Sequence, residues 1–384
     1  MNNLHIYPSY FTHESRMLKE TESLAKEGFF DRIYIGALCK KGLKKTEDID
    51  GVRRIVRPPI LSACLPDGFP WKLFQLLEWE LRIFFKFRKR QIAVFNAHSL
   101  TVLPLGVIFK RVTGAKLIYD AHELETEVQV SKIQKMAYKI IERSLICYAD
   151  VVITVSESIA EWYRNTYMLN NVNVIYNIPY RRPMGPQSAE RLRTILKIKE
   201  TDFLFIHHGI LEEGRGIGLL LECFTRTQSD RHIVLMGNGA LEETILHYTM
   251  KYSNIHFLPT VQPQKVLDYV GGADVGIHLI ENTCLNHYYC LPNKLFEFIL
   301  AGVPAIVSDF PEMRRVVQDG PCGWTVPVDA EALRVLVDGI TWKEVKDKKA
   351  ATQISQCELG WHTEEKKLIE VYANLLGDAK GWLD

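Results

Sequence analysis

Along the chain, short uninterrupted apolar runs alternate with longer stretches whose apolar residues return every three or four positions. Leu4 to Tyr7, Arg32 to Leu38, Ile92 to Asn96, Lys116 to Tyr119, Val151 to Val155 and Val172 to Tyr176 have the length and the Val/Ile/Tyr content of strands. Between the first two, Met17, Leu18, Thr21, Leu24 and Ala25 share one face of a predicted helix that Gly28 ends. Pro179, Pro183, Gly185 and Pro186 break both patterns and predict a linker. Beyond it the alternation resumes, with strands at Phe203 to His207, His232 to Met236, Ile255 to Leu258, Val275 to Leu279 and Pro304 to Ser308. A last helix is predicted over Glu364 to Leu376, with Thr363 as its N-cap and Gly377 beyond its end.

Strands alternating with helices predict parallel sheets covered on both faces, so the expected class is α/β with two Rossmann-like domains. Their expected limits are 1–178 and 188–360, joined by a linker at 179–187 and followed by the helical segment 361–384. Open sheets of this kind bind ligands outside the carboxyl ends of their strands, which directs the search for chemistry to the strand-to-helix loops.

The 384 residues, 47% hydrophobic and 24% charged, exclude disorder, collagen and coiled coil. The net charge of +1 hides an asymmetry, since residues up to Ile178 hold 25 basic against 19 acidic side chains. No apolar run approaches the roughly 20 residues of a membrane span. The N-terminus lacks a signal-peptide pattern, so a cytoplasmic protein is expected. Eight cysteines without a C-x-x-C spacing read as reduced thiols.

The most informative stretch is Leu291 to Ile306. It predicts a two-turn helix, ended by Gly302, that runs into a buried strand. Lys294 and Glu297, three apart, share a face near the helix N-terminus, where a cation and a carboxylate could meet phosphate and sugar hydroxyls; a plain surface ion pair is the structural alternative.

Pro292 to Ile306, followed by Ser308-Asp309-Phe310-Pro311-Glu312, resembles the donor-site segment of glycosyltransferases with the GT-B fold, family 4 in particular. Tyr119-Asp120-Ala121-His122-Glu123, Ala149 to Glu157 and Val174 to Pro179 are similar to other segments of that family in order and spacing, and the likeness covers nearly the whole chain. The resemblance implies two Rossmann-like domains facing each other across a cleft, with the C-terminal helix returning to the first. It also implies retaining transfer of a sugar from a nucleotide-sugar donor without metal or other cofactor, to a glycan or lipid-linked acceptor, in surface polysaccharide or glycolipid synthesis. Donor contacts then fall to Asn293, Lys294, Glu297 as ribose ligand, and Gly237 of Met236-Gly237-Asn238-Gly239. The family's first sugar-contacting Glu is replaced by Tyr289, and its Arg after the first strand of the second domain by Ile210. That leaves Arg215, flanked by glycines, as the cation for the leaving phosphate.

His122 follows an apolar strand beside Asp120 and Glu123. The cluster has the composition of a metal site without an evident third ligand, and the resemblance gives His122 to the donor sugar. A structural histidine is the alternative. Arg16, His98 and Tyr289 are further acceptor or cleft candidates. Trp71 to Arg90, aromatic and basic, predicts a helix for an anionic membrane surface or, equally, a core helix; near-neutral charge speaks against nucleic acid. Two other readings stay open: a nucleotide-sugar 2-epimerase, and an inactive membrane-surface protein.

Overall fold

The computed structural model describes the chain except for His13, Asp67, Phe69, 182–187 and 378–384, and the side chains of 188–191. Most of the expected linker at 179–187 therefore lies outside the described residues. The chain divides into two compact units, Met1–Tyr176 with the residues from Glu364 onward, and Asn177–Thr363.

The first unit contains β1 (Asn2–Ile6), α1 (Ser15–Glu27), β2 (Arg32–Gly36), β3 (Thr46–Asp48), β4 (Arg53–Val56), α2 (Trp71–Phe87), β5 (Ile92–Ala97), α3 (Leu103–Thr113), β6 (Lys116–Ala121), α4 (Lys132–Leu145), β7 (Val151–Thr154), α5 (Glu157–Tyr167) and β8 (Val172–Val174). Its sheet runs β3-β4-β2-β1-β5-β6-β7-β8, parallel except where β3 pairs antiparallel with β4. The pattern of apolar runs misses β3 and β4, because Thr46–Asp48 is fully exposed and Arg53–Val56 begins with two arginines. Strand order reverses around β1, between β2 and β5, which opens a crevice at the carboxyl ends of β1 and β5.

The second unit contains α6 (Ser188–Leu196), β9 (Phe203–Ile210), α7 (Ile217–Phe224), β10 (Arg231–Asn238), α8 (Glu242–Lys251), β11 (Ile255–Pro259), α9 (Val266–Val270), β12 (Val275–His278), α10 (Leu285–Tyr288), α11 (Asn293–Leu300), β13 (Ala305–Ser308), α12 (Pro311–Asp319), β14 (Gly323–Val326), α13 (Ala330–Gly339) and α14 (Trp342–Glu358). Its parallel sheet runs β11-β10-β9-β12-β13-β14, with the reversal between β9 and β12. β14 was not expected from the sequence: Gly323 opens it, and two of its four residues are only half-buried. Phe205, Leu220, Phe224, Ile233, Leu235 and Ile277 lie at the centre of one face's core, each worth about 1.5 to 3 kcal/mol once removed from water.

The final helix spans Trp361–Leu376 and starts earlier than the capping pattern predicts. Thr363 lies inside its first turn, where its hydroxyl donates to the Glu358 carbonyl (3.0 Å) instead of capping. Within the first unit, the Glu364 carboxylate accepts from the Tyr176 amide (2.8 Å) and the Tyr372 ring meets Phe30 edge-on. No helix among the described residues is long and apolar enough to cross a membrane.

Candidate active site

In the second unit, the chemistry gathers at the carboxyl ends of β9 and β12 and at the N-terminus of α11. β9 ends in His207-His208-Gly209-Ile210, and Gly209 sits at φ +118°, where a Cβ would run into the Lys294 side chain. The bare backbone thus lets Lys294 lie across the strand end. Gly237 and Gly239 serve packing: a Cβ on either would strike the carbonyl oxygen of Gly209 or Leu211. Arg215 is half-buried in the loop before α7, and its side chain makes no hydrogen bond or ion pair among the described residues.

Lys294 and Asn293 open α11, with Asn293 exposed and Glu297 half-buried one turn on. Burial lowers the Lys294 pKa, Glu297 partly restores it, and Arg215 lowers it further. Two cations held close together with one carboxylate favour the arrival of an anion. Glu297 Oε2 lies 3.5 Å from His208 Nε2 at the end of β9, and 27% of the Glu297 side chain is exposed. Tyr289 is half-buried at the end of α10, and Ile210 is exposed.

Three buried histidines that the sequence reading passed over stand beneath these cations. His207 donates through Nδ1 to the Ile277 carbonyl (3.1 Å) and stacks on His278, with ring centroids 5.7 Å apart. Its Nε2, the Nε2 of His208 and both ring nitrogens of His278 have no hydrogen-bond partner among the described residues. Burial, reinforced by Lys294, pushes His207 down to about 3 and holds His208 and His278 well below the usual histidine range. All three are neutral near pH 7 and leave the site's positive charge to Arg215 and Lys294. The available signal was polar residues inside apolar runs, the pattern of strand ends that face a ligand crevice.

In the first unit, a polar cluster occupies the carboxyl ends of β1, β5 and β6. Arg16, from α1, grips Asp120 with Nε on Oδ2 (3.0 Å) and a terminal nitrogen on Oδ1 (2.8 Å), and gives its other nitrogen to the Ile175 carbonyl (2.8 Å). Glu20 lies 2.9 Å away. The expectation that Arg16 lines the cleft is therefore corrected: its guanidinium is buried and engaged by Asp120. His98 is corrected likewise. It is 1% exposed and bonded on both ring nitrogens, to His5 Nδ1 (2.8 Å) and Asp120 Oδ2 (2.9 Å), so it supports the site from beneath.

His122 keeps an open side: Nε2 reaches Asp120 Oδ2 (3.1 Å), 22% of the side chain is exposed, and the Tyr7 ring lies 5.4 Å away. Burial alone would raise the Asp120 carboxyl, but Arg16, His122 and His98 outweigh it and hold it well below the carboxylate range. Burial and the neighbouring Asp120 instead raise the Glu20 carboxyl, against the pull of Arg16. Glu125, which the sequence reading did not single out, accepts from the Ser99 hydroxyl (2.9 Å) and the Leu100 amide (2.7 Å), and burial pushes it up to about 7.

The third ligand that the sequence lacked is present in space. Ligand atoms of His98, Asp120 and His122 lie within 4.8 Å of one another, as do those of His5, Glu20 and His98. The donor set does not suit a cation, however, because the Arg16 guanidinium already occupies both Asp120 oxygens and brings positive charge into the cluster.

Residues 17–178 match the family described as Glycosyltransferase Family 4, and residues 202–338 match Glycosyl transferases group 1. Chitobiosyldiphosphodolichol beta-mannosyltransferase of Eremothecium gossypii is 21% identical over 321 residues, which are 74% of this chain and 66% of that protein. Phosphatidyl-myo-inositol mannosyltransferase of Mycobacterium tuberculosis is 26% identical over 142 residues, 34% of each chain. This chain thus spans less than two thirds of the length of these relatives. Among solved structures, Anabaena HepE in complex with UDP-glucose superposes with a TM-score of 0.74 at 14% identity, over 97% of this chain and 100% of that one. Sucrose-phosphate synthase from Thermosynechococcus elongatus gives 0.77 at 16% identity, over 98% and 99%. A glycosyltransferase family model thus matches each of the two sheets, and the fold of the chain is GT-B.

Proposed function

We propose that the protein transfers a hexosyl group from a nucleoside-diphosphate sugar to a glycan or lipid-linked acceptor, with retention of anomeric configuration. The observation that carries this reading is the pair of cations, Arg215 and Lys294, brought to one strand end beside Glu297, with no anion among the described residues bonded to Arg215. In this reading Arg215 and Lys294 hold the diphosphate, Glu297 the ribose, and His122 a hydroxyl of the sugar. The bond from the anomeric carbon to the phosphate oxygen breaks, and the acceptor oxygen bonds to the same face. The acceptor proton passes to the departing phosphate, whose negative charge the two cations stabilise.

The names of the two mannosyltransferase relatives and of the UDP-glucose complex support a hexose donor and, for the mannosyltransferases, a lipid-linked acceptor. Titration calorimetry with UDP and GDP tests the donor site. A charge-assisted hydrogen bond contributes about 1.5 to 3 kcal/mol, so Arg215→Ala and Glu297→Ala should each weaken the better nucleotide by roughly ten- to a hundredfold. Unchanged affinity in both variants refutes the assignment. Formation of an epimer from donor alone would favour the 2-epimerase, and nucleotide binding without turnover the inactive protein.

A lipid-linked acceptor is supported by the surface of the first unit. α2 packs through Trp79, Ile83 and Phe87, and leaves Trp71, Leu73, Phe74, Leu77, Leu81 and Phe85 exposed next to Lys86, Arg88 and Lys89. The segment Trp71 to Arg90 is therefore both a core helix and an apolar, cationic surface. α4 repeats the combination, with Ile133, Met136 and Ile140 exposed among Lys132, Lys135, Lys139 and Arg143. Apolar side chains ringed by cations suit the headgroup region of an anionic bilayer.

A further inference from the structure

One spacing recurs along three adjacent strands: Asn3-Leu4-His5 within β1, Asn96-Ala97-His98 at the end of β5, and Asp120-Ala121-His122 at the end of β6. Side chains alternate along a strand, so both polar members of each triplet fall on one face. Arg16 and Glu20 reach that face from α1, and Tyr372 reaches it from the final helix.

The hydrogen bonds between them run in one direction. The Tyr372 hydroxyl donates to Asn96 Oδ1 (2.6 Å), the Asn96 amide to Asn3 Oδ1 (2.6 Å), and the Asn3 amide to His5 Nε2 (3.1 Å). His5 must then carry its proton on Nδ1, which donates to His98 Nε2 (2.8 Å). His98 is thereby protonated on Nδ1, 2.9 Å from Asp120 Oδ2. Asp120, held ionised by both arms of Arg16, only accepts, and the same oxygen receives His122 Nε2–H (3.1 Å). The 3.0 Å between His98 Nδ1 and His122 Nε2 is then the spacing of two N–H groups converging on one carboxylate oxygen. Burial keeps His5 and His98 neutral, His98 down to about 4, so no step is reversed by an imidazolium near pH 7.

We propose that the chain from Tyr372 through Asn96, Asn3, His5 and His98 is a positioning relay that turns the His98 N–H onto Asp120 and holds that carboxylate in place, and that Asp120 so held fixes the His122 proton on Nε2, leaving Nδ1 to present its lone pair to a substrate hydroxyl. The inference rests on the assignment of His122 to the transferred sugar. It adds which ring nitrogen meets the hydroxyl and makes the final helix a contributor to that choice. Tyr372, Asn96, Asn3 and His5 are positioning residues with no contact to substrate.

The test is long-range nitrogen-15 NMR of the full-length protein labelled at histidine, near neutral pH, with His122 assigned by its loss in His122→Asn. His122 should show a protonated Nε2 and a bare Nδ1, and His5 and His98 the opposite tautomer. Tyr372→Phe should shift the His122 signals toward a mixture of tautomers and lower kcat about three- to tenfold, with the donor KM changed less than about twofold. His122→Asn, whose Oδ1 can stand where Nδ1 stood, should keep more kcat than His122→Gln. A His122 proton on Nδ1 in the wild type overturns the relay, as do unmoved His122 signals in Tyr372→Phe. The wild-type spectrum decides even if that variant fails to fold. If no nucleotide sugar is turned over while the spectrum shows the expected tautomers, the functional reading fails and the relay stands.

Discussion

At the scale of single residues, two glycines on neighbouring strands have different consequences. A Cβ at Gly237 meets the backbone carbonyl of Gly209, which cannot move away, whereas a Cβ at Gly209 meets the flexible end of Lys294. Gly237→Ala should therefore destabilise the protein by about 1 to 3 kcal/mol and leave nucleotide affinity of the folded fraction intact. Gly209→Ala should displace Lys294 and weaken nucleoside-diphosphate binding about tenfold or more, by calorimetry. Glu80 supplies a test of buried charge: its Oε1 has no partner among the described residues, and burial raises its carboxyl to about 7. Because the folded pKa lies above the unfolded one, its contribution to stability is fully present below about 4.5 and is lost as pH rises through about 7, at up to about 1.4 kcal/mol per pH unit. Denaturant titrations of Glu80→Gln should show a gain over wild type that grows by roughly 3 kcal/mol between about pH 5 and about pH 8. Equal curves at both pH values would mean that the carboxyl is solvated.

At the scale of elements, the predicted helices were found where an apolar face packs on a sheet, and the surprises lie on the other faces. α1 buries Met17, Thr21 and Leu24 as its periodicity predicts, yet it also buries Arg16 and Glu20 against Asp120, and Leu18 is exposed. Periodicity cannot anticipate this, because a buried charge becomes tolerable only when a partner arrives from a strand more than a hundred residues away. α2 and α4 show the converse, apolar residues left in water. If these surfaces meet lipid, the protein should float with anionic liposomes at low salt and stay behind with neutral ones. Attachment should be lost when Leu77 and Leu81 on α2 become Asp, or when Lys139 and Arg143 on α4 become Ser. Each cation near such a surface contributes about 1 kcal/mol, and salt should screen it. Flotation indifferent to lipid charge would refute the docking surface.

At the scale of the whole molecule, the final helix completes the first unit although it follows the second in sequence. A chain ending at Thr363 loses the Glu364 bond to Tyr176, the Tyr372 ring against Phe30 and the start of the relay. It should unfold in its first unit at lower denaturant, while the second unit retains the site of Arg215, Lys294 and Glu297 and binds nucleotide within about twofold of the full chain. The alternation of apolar runs and helical periods was enough to determine the α/β class, the division into two sheets and eleven of the strands, because strand burial is written in consecutive residues. The segment around Lys294 and Glu297 was legible for the same reason, since its helix, glycine stop and following strand are contiguous. The exposed and edge strands β3, β4 and β14 carry too little apolar sequence to be read, and the buried histidines His207, His208 and His278 look like ordinary strand residues until the sheet puts them side by side. Only the tertiary structure decided that Arg16 and His98 serve Asp120 and not the substrate. Its decision has a physical cause: the partners that neutralise a buried charge or settle a tautomer come from different strands and helices, at distances along the chain that no local pattern records.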